Sequence, residues 1–264
     1  MGVKKKGSAK LAIVLSLAIA ATSLLPMNVQ AAVKAPAKKV VYMTQKYQKG
    51  EYGYADASFR VTGIKKEDYV KISSVKSSNE DVITVSCIYG DYYFDKDQVS
   101  RNGCDFSCSA TKPGSSTISY KIGKYTKKTK ITVKDYENPV KKITLDGVND
   151  GKDFSKLTKN QSSVYAEWDE NGNVTPVFSI VPTKNPVLTI EPASGWSVQN
   201  IYLSSMGISE SIYYYEGKAP KGKQTITLYE LTGGSYGTLS MSFINKDGGS
   251  MYVSYDLSEY SSYY

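Results

Sequence analysis

From Thr117 to Ile122, apolar Ile118, Tyr120 and Ile122 alternate with Ser119 and Lys121. From Lys128 to Lys134, the alternation sets Thr129, Ile131 and Val133 against Lys128, Lys130, Thr132 and Lys134. A period of two sends one set of side chains to a core and the other to water, as in antiparallel sheets. The second half of the chain repeats the pattern at Val164/Ala166/Trp168, Leu239/Met241/Phe243 and Met251/Val253/Tyr255. Turn-forming runs separate these segments at Gly123-Lys124-Tyr125-Thr126, Glu170-Asn171-Gly172-Asn173, Lys221-Gly222-Lys223, Gly233-Gly234 and Asp247-Gly248-Gly249. No segment carries a sustained helical stripe. The pattern predicts an all-β protein of two tandem β-sandwich domains.

Asp135-Tyr136-Glu137-Asn138-Pro139 is the expected boundary, because it follows a complete strand and proline cannot donate to a ladder. The expected first domain is 38–135, the linker 136–139 and the second domain 140–264. Residues 32–37 are basic and contain a proline, so they are expected to be a flexible lead-in.

Residues 1–31 have the order of a cleaved signal peptide. Lys4, Lys5, Lys6 and Lys10 precede the apolar run Leu11–Leu25, and Val29-Gln30-Ala31 supplies small residues for cleavage after Ala31 or Ala32. The apolar run is shorter than the ~20 residues a spanning helix needs. No later run has membrane length, the leader has no lipoprotein cysteine, and no LPxTG motif precedes the end of the sequence. The expectation is a protein that is secreted, or held on the cell surface without a covalent link, with no membrane span in its mature form.

This leader changes the charge picture. The whole chain has 33 Lys+Arg, 25 Asp+Glu and a formal charge of +8. Four of the lysines leave with residues 1–31. Residues 32–138 hold 19 basic and 12 acidic residues, and 139–264 hold 10 and 13, so a basic unit precedes a mildly acidic one. The chain has no histidine, which excludes a Ser-His-Asp triad. Its three cysteines cannot build a Cys₄ site, and a Cys₂His₂ site lacks its histidines.

Two segments carry a resemblance. Ser77-Ser78-Asn79-Glu80-Asp81-Val82-Ile83-Thr84-Val85-Ser86 resembles the SSNxxVxTVS segment of group 2 bacterial Ig-like domains. Ala110-Thr111-Lys112-Pro113-Gly114-Ser115-Ser116-Thr117-Ile118-Ser119 resembles that family's A-x-K-P-G-x-x-T-I-T segment, and Lys127–Val133 its closing strand. The resemblance covers residues 38–134 and departs at Ile88–Gly103, where a longer connection replaces a short turn. It implies an Ig-like sandwich in a secreted protein of Gram-positive type, serving adhesion, spacing or carbohydrate contact, with no shared catalytic residue or cofactor.

Cys87, Cys104 and Cys108 surround that insertion. An exported chain can form a disulfide, and four residues of extended strand between Cys104 and Cys108 exceed the ~7 Å bridging limit. The expected staple is therefore Cys87–Cys104, with Cys108 as the alternative partner for Cys87; three reduced thiols packed as small hydrophobes are the other reading. Tyr89, Tyr92, Tyr93 and Phe94 within the insertion, and Trp196 after the turn-like Ala193-Ser194-Gly195, are candidate ligand-binding aromatics. The bland alternative folds the insertion's rings back over the sandwich edge. Asp91, Asp95 and Asp97 are weak candidates for calcium and match no full calcium-loop motif. Glu167 and Glu170 flank Trp168, but nothing marks a paired catalytic acid.

The sequence therefore points to a non-enzymatic cell-surface adhesion or interaction module. The alternative is a carbohydrate-binding protein using exposed aromatics, and a glycoside hydrolase ranks last. Expected partners are a cell-wall polymer, a glycan or a host or bacterial surface protein, and not nucleic acid.

Overall fold

Thr129, Ile131 and Val133 are buried while Lys128 and Lys130 are exposed, so the period of two translates directly into a two-faced strand. The computed structural model describes residues 33–65, 72–90, 99–100, 103–171, 174–181, 183–205, 208–214, 222–227 and 236–257. The expected signal peptide, 1–31, lies outside the described residues. The strands of the first half are β1 (Lys38–Tyr42), β2 (Ala55–Asp56), β3 (Phe59–Val61), β4 (Ile64–Lys65), β5 (Ile72–Ser77), β6 (Ile83–Gly90), β7 (Val99–Ser100), β8 (Cys104–Ala110), β9 (Gly114–Ile122) and β10 (Tyr125–Lys134). Those of the second half are β11 (Val140–Leu145), β12 (Ser163–Val164), β13 (Glu167–Trp168), β14 (Val174–Thr175), β15 (Val187–Pro192), β16 (Trp196–Ser205), β17 (Ile208–Tyr214), β18 (Gln224–Thr227), β19 (Tyr236–Asn245) and β20 (Ser250–Asp256). The fold is all-β, and its helical content among the described residues is two short 3₁₀ turns.

In the first half, β9 and β10 form a hairpin from Gly114↔Val133 to Ile122↔Tyr125. β5 pairs with the other edge of β9, and β1 lies parallel to β10. The facing sheet is built on β8, with β2 and β3 on one side and β6 on the other. Rings close the space between the sheets. Phe59 stacks on Phe106 at 4.9 Å, and Tyr120 from β9 meets Phe106 at 4.4 Å. Such ring pairs add about 0.5–1.5 kcal/mol each beyond the area they bury.

The two recognisable segments meet at one hydroxyl. Ser116, buried on β9, is 2.7 Å from Ser77 Oγ and 3.3 Å from Ser78 Oγ, and it accepts the Asn79 amide at 3.0 Å. The Ser-Ser-Asn turn is thus fastened to the strand that follows Pro113-Gly114. Gly114 itself has φ +154, and a Cβ there would press on the Val82 side chain at 2.9 Å. Ser116→Ala strands this network, with an expected loss of about 1–3 kcal/mol, read as a lower denaturant midpoint at unchanged m-value. An unchanged midpoint would mean that the three partners are satisfied without Ser116.

In the second half, β16, β19 and β20 form an antiparallel core with β17 on the outer edge of β16. Leu239, Met241 and Phe243 are buried against Met251, Val253 and Tyr255, as the alternation predicts. A second sheet, β11-β15-β18, buries Ile143, Leu145, Leu188 and Ile190. The expected single run through Val164, Ala166 and Trp168 divides in two. β12 runs parallel to β20, whereas β13 pairs with β14.

The sheets of the two halves are continuous. β1 pairs with β10 along its length and touches β20 at Val41↔Ser250, giving the order β17-β16-β19-β20-β1-β10-β9-β5. The Ser162 amide donates to the Thr44 carbonyl at 2.7 Å, and the Lys46 amide to the Asn160 carbonyl at 2.8 Å. Tyr136, in the expected linker, is 1% exposed. Its hydroxyl donates to the Thr158 carbonyl and lies 3.1 Å from that of Gln161. Burial, with Tyr255 nearby, pushes this phenol well above its usual range, so it stays a donor at any physiological pH. The expected flexible lead-in is also tied down. Lys34 and Thr62 exchange two backbone hydrogen bonds of 2.9 Å, and the Pro36 carbonyl accepts from Thr129 Oγ1 at 2.8 Å. Both contacts place Lys34 and Pro36 against the strands of the first half.

Candidate interaction surface

The insertion at 88–103 is partly strand. Ile88–Gly90 extend β6 opposite Phe106–Cys104, and Val99–Ser100 pair with Ile64–Lys65. Tyr92, Tyr93, Phe94, Asp91, Asp95 and Asp97 lie outside the described residues. Tyr89 is placed by its backbone opposite Asp105, and its side chain lies outside them too. Among the described residues, no group of three or more Cys, Asp or Glu side chains is placed to hold a metal ion.

The ladder separates Cys87 from Cys104, the preferred partner in the expected staple. The register sets Cys87 opposite Ser107, while Cys104 stands opposite Gly90. Three residues along β8 separate Ser107 from Cys104, about 10 Å at strand rise and beyond the ~7 Å that a bridge tolerates. Cys104 is a buried free thiol. Cys108, the alternative partner, is buried opposite Val85. The two ladder positions were not readable from the sequence because a bulge between Val85 and Cys87 shifts the register. Burial, reinforced by the Asp105 charge, pushes the Cys104 thiol up to about 12. Because the thiolate is the reactive form, Cys104 is expected to resist a maleimide in the native protein at pH 7.5 and to label fully in denaturant. Rapid native labelling, read by peptide mass, would contradict its burial.

Trp196 is the second correction. It is 4% exposed, its ring is 5.0 Å from that of Tyr42, and its indole N–H donates to Glu137 at 3.2 Å. The preceding Gly195 turn leads this side chain into the contact between the two halves, so it offers no platform to a sugar. Among the described residues, the exposed rings lie elsewhere, at Tyr52 (76%), Tyr54, Tyr125, Tyr165 (62%) and Tyr252. Glu167 and Glu170 are exposed on the surface.

The two sheets of the first half differ in charge on their outer sides. On the β8 sheet, Arg60 and Asp105 form a two-pronged pair, 2.7 and 2.6 Å, in which the guanidinium holds the Asp105 carboxyl below its usual range. On the β1-β10-β9-β5 sheet, the outer positions place Lys38 directly opposite Lys130, and Lys128 opposite Ser119, which is opposite Lys76. Lys121 lies two positions along β9. Lys38, Lys76, Lys121, Lys128 and Lys130 are all exposed, and none makes an ion pair with a described carboxylate. Ser115, Thr117, Ser119 and Thr132 fill the positions between them. Lys39 does not belong to this face. It turns inward to donate to the Ser58 carbonyl, and burial lowers its pKa. The sequence alternation assigns Lys128 and Lys130 to solvent. Bringing Lys38 and Lys76 beside them needs the non-local pairings β1–β10 and β5–β9, which alternation does not specify.

No family model matches the chain, and no curated protein matches it. Among solved structures, the chain is similar to domains 4 and 5 of the S-layer protein SbsC, at 17% identity and a TM-score of 0.25, over 39% of this chain and 51% of that one. It is similar to domains 4–9 of SbsC at 12% identity and a TM-score of 0.28, over 85% of this chain and 31% of that one. It is similar to the Yersinia pseudotuberculosis adhesin InvE at 8% identity and a TM-score of 0.21, over 86% of this chain and 58% of that one. The chain spans about half of the first structure and under a third of the second. Likeness at this level does not bear on what the chain binds. Among the described residues, no helix is long and apolar enough to cross a membrane.

Proposed function

We propose that the chain is a non-enzymatic, exported interaction module of the cell surface, built on an Ig-like sandwich of residues 38–135 and a second sandwich of 140–264. The observation that carries this reading is the sheet shared by both halves through β1, together with the packed Tyr42, Tyr136 and Trp196. It supports a scaffold that presents outer faces and loops at fixed positions, where recognition is commonly placed. The order of residues 1–31 supports export. A glycan-binding role now rests on Tyr92 and Tyr93, since Trp196 is buried. The test is fractionation of cells producing the full chain with a C-terminal tag. The expected product lies in the envelope or medium and begins at Ala32 or Val33 by mass spectrometry. A cytosolic product retaining residues 1–31 would overturn the reading.

A further inference from the structure

We infer that the five-lysine face of β1, β10, β9 and β5 docks a flexible phosphodiester polymer that carries no bases, an inference that rests on the interaction-module reading and names its partner. Lys38, Lys130, Lys128, Lys121 and Lys76 project from one face of four neighbouring strands. Strand spacing and rise put adjacent members about 5–10 Å apart, comparable with the ~8 Å screening length of physiological salt. Like charges directly opposite one another, as Lys38 and Lys130 are, destabilise a sheet. Elsewhere among the described residues, Arg60 is paired with Asp105, Lys134 with Asp247, and Lys141 with Glu191. On this face no described carboxylate offsets the repulsion, and a bound polyanion would.

The side chains narrow the class of polyanion. The five cations are all lysine, which meets phosphate as a compact point charge. The intervening hydroxyls of Thr117 and Ser119 can donate to phosphate oxygens. Binding of single-stranded nucleic acid relies on aromatic platforms interleaved with the charges, and no aromatic side chain stands between these lysines. A broad sheet face also does not enter the groove of a duplex. A flexible chain can adjust its charges to the lysine positions.

The test uses the chain recovered from expressing cells and titrates it calorimetrically with synthetic poly(glycerol phosphate). The comparison ligands are oligothymidine and polygalacturonate. Binding to poly(glycerol phosphate) is expected to weaken with salt, with a log–log slope of about −0.7 for each lysine engaged. The triple variant Lys38→Gln, Lys128→Gln, Lys130→Gln is expected to lose about ten-fold or more in affinity at low salt and to flatten the slope by about 2. These are exposed positions, so a melting midpoint no lower than the parent's verifies the fold. The control Lys141→Gln, Lys152→Gln removes lysines already paired with Glu191 and Asp150 and should bind like the parent. Equal losses in both variants would overturn the assignment, as would no binding of poly(glycerol phosphate) or equal or tighter binding of oligothymidine or polygalacturonate. An exported chain that fails to bind loses only the polymer; a chain retained in the cytosol loses the module reading whatever it binds.

Discussion

Tyr136→Ala is expected to cost about 3–5 kcal/mol, the range for emptying a large buried aromatic site, and to separate the unfolding of the two halves of the chain into distinct steps. Tyr136 sits between the last strand of the first half and the first of the second, and its hydroxyl reaches the carbonyls of Thr158 and Gln161. Those carbonyls precede Ser162, whose amide is bonded to Thr44 beyond the end of β1. Removing the ring therefore loosens the segment that carries β12 against β20 as well as its own pocket. Calorimetry reads this directly: one cooperative transition for the parent, and for the variant a lowered transition that resolves into two. Tyr136→Phe removes only the hydroxyl and should cost about 1 kcal/mol. A single transition at the parent's midpoint in the alanine variant would show that the halves are not coupled through Tyr136.

Gly103→Ala is the second large effect, and it acts at the base of the insertion. Gly103 has φ +84, and a Cβ there would lie 2.0 Å from the Val61 carbonyl oxygen and 3.0 Å from the Thr62 methyl. Backbone strain of about 1–3 kcal/mol combines with an overpacking cost of similar size. The expected loss is about 2–5 kcal/mol. Because the opposing atom is backbone, relief requires β3 to move away from β8 where Val61 faces Cys104. The specific signature is gain of maleimide labelling at Cys104 under native conditions, alongside faster amide exchange at Val61. A variant whose Cys104 stays as protected as in the parent, at unchanged stability, would show that the glycine is not required there.

Local alternation carried much of this structure. The faces of β9, β10, β19 and β20 follow from period two, because their hairpins are joined by short turns that fix the register. Non-local pairing was not legible. Nothing in Lys38–Tyr42 announces that it runs parallel to β10 and also reaches β20. That pairing brings Lys38 beside Lys130, and the equally non-local β5–β9 pairing adds Lys76. A bulge sets Cys87 at Ser107, and the meeting of the two halves covers Trp196, which a turn alone would leave outside; neither is encoded in the local pattern. The aromatic candidates Tyr92, Tyr93 and Phe94 stay as the sequence leaves them, outside the described residues.

The parallel match of Lys38–Tyr42 with Lys130–Lys134 also has a mechanical meaning. A pull along β1, away from β10, loads every hydrogen bond of that ladder in shear at the same moment, whereas a hairpin pulled from its open end releases its bonds one after another. For a chain anchored at one end and tugged at the other, resistance is set by the rate of crossing the unfolding barrier under load. The strand shared by the two halves would then serve as the clamp that keeps both folded under tension.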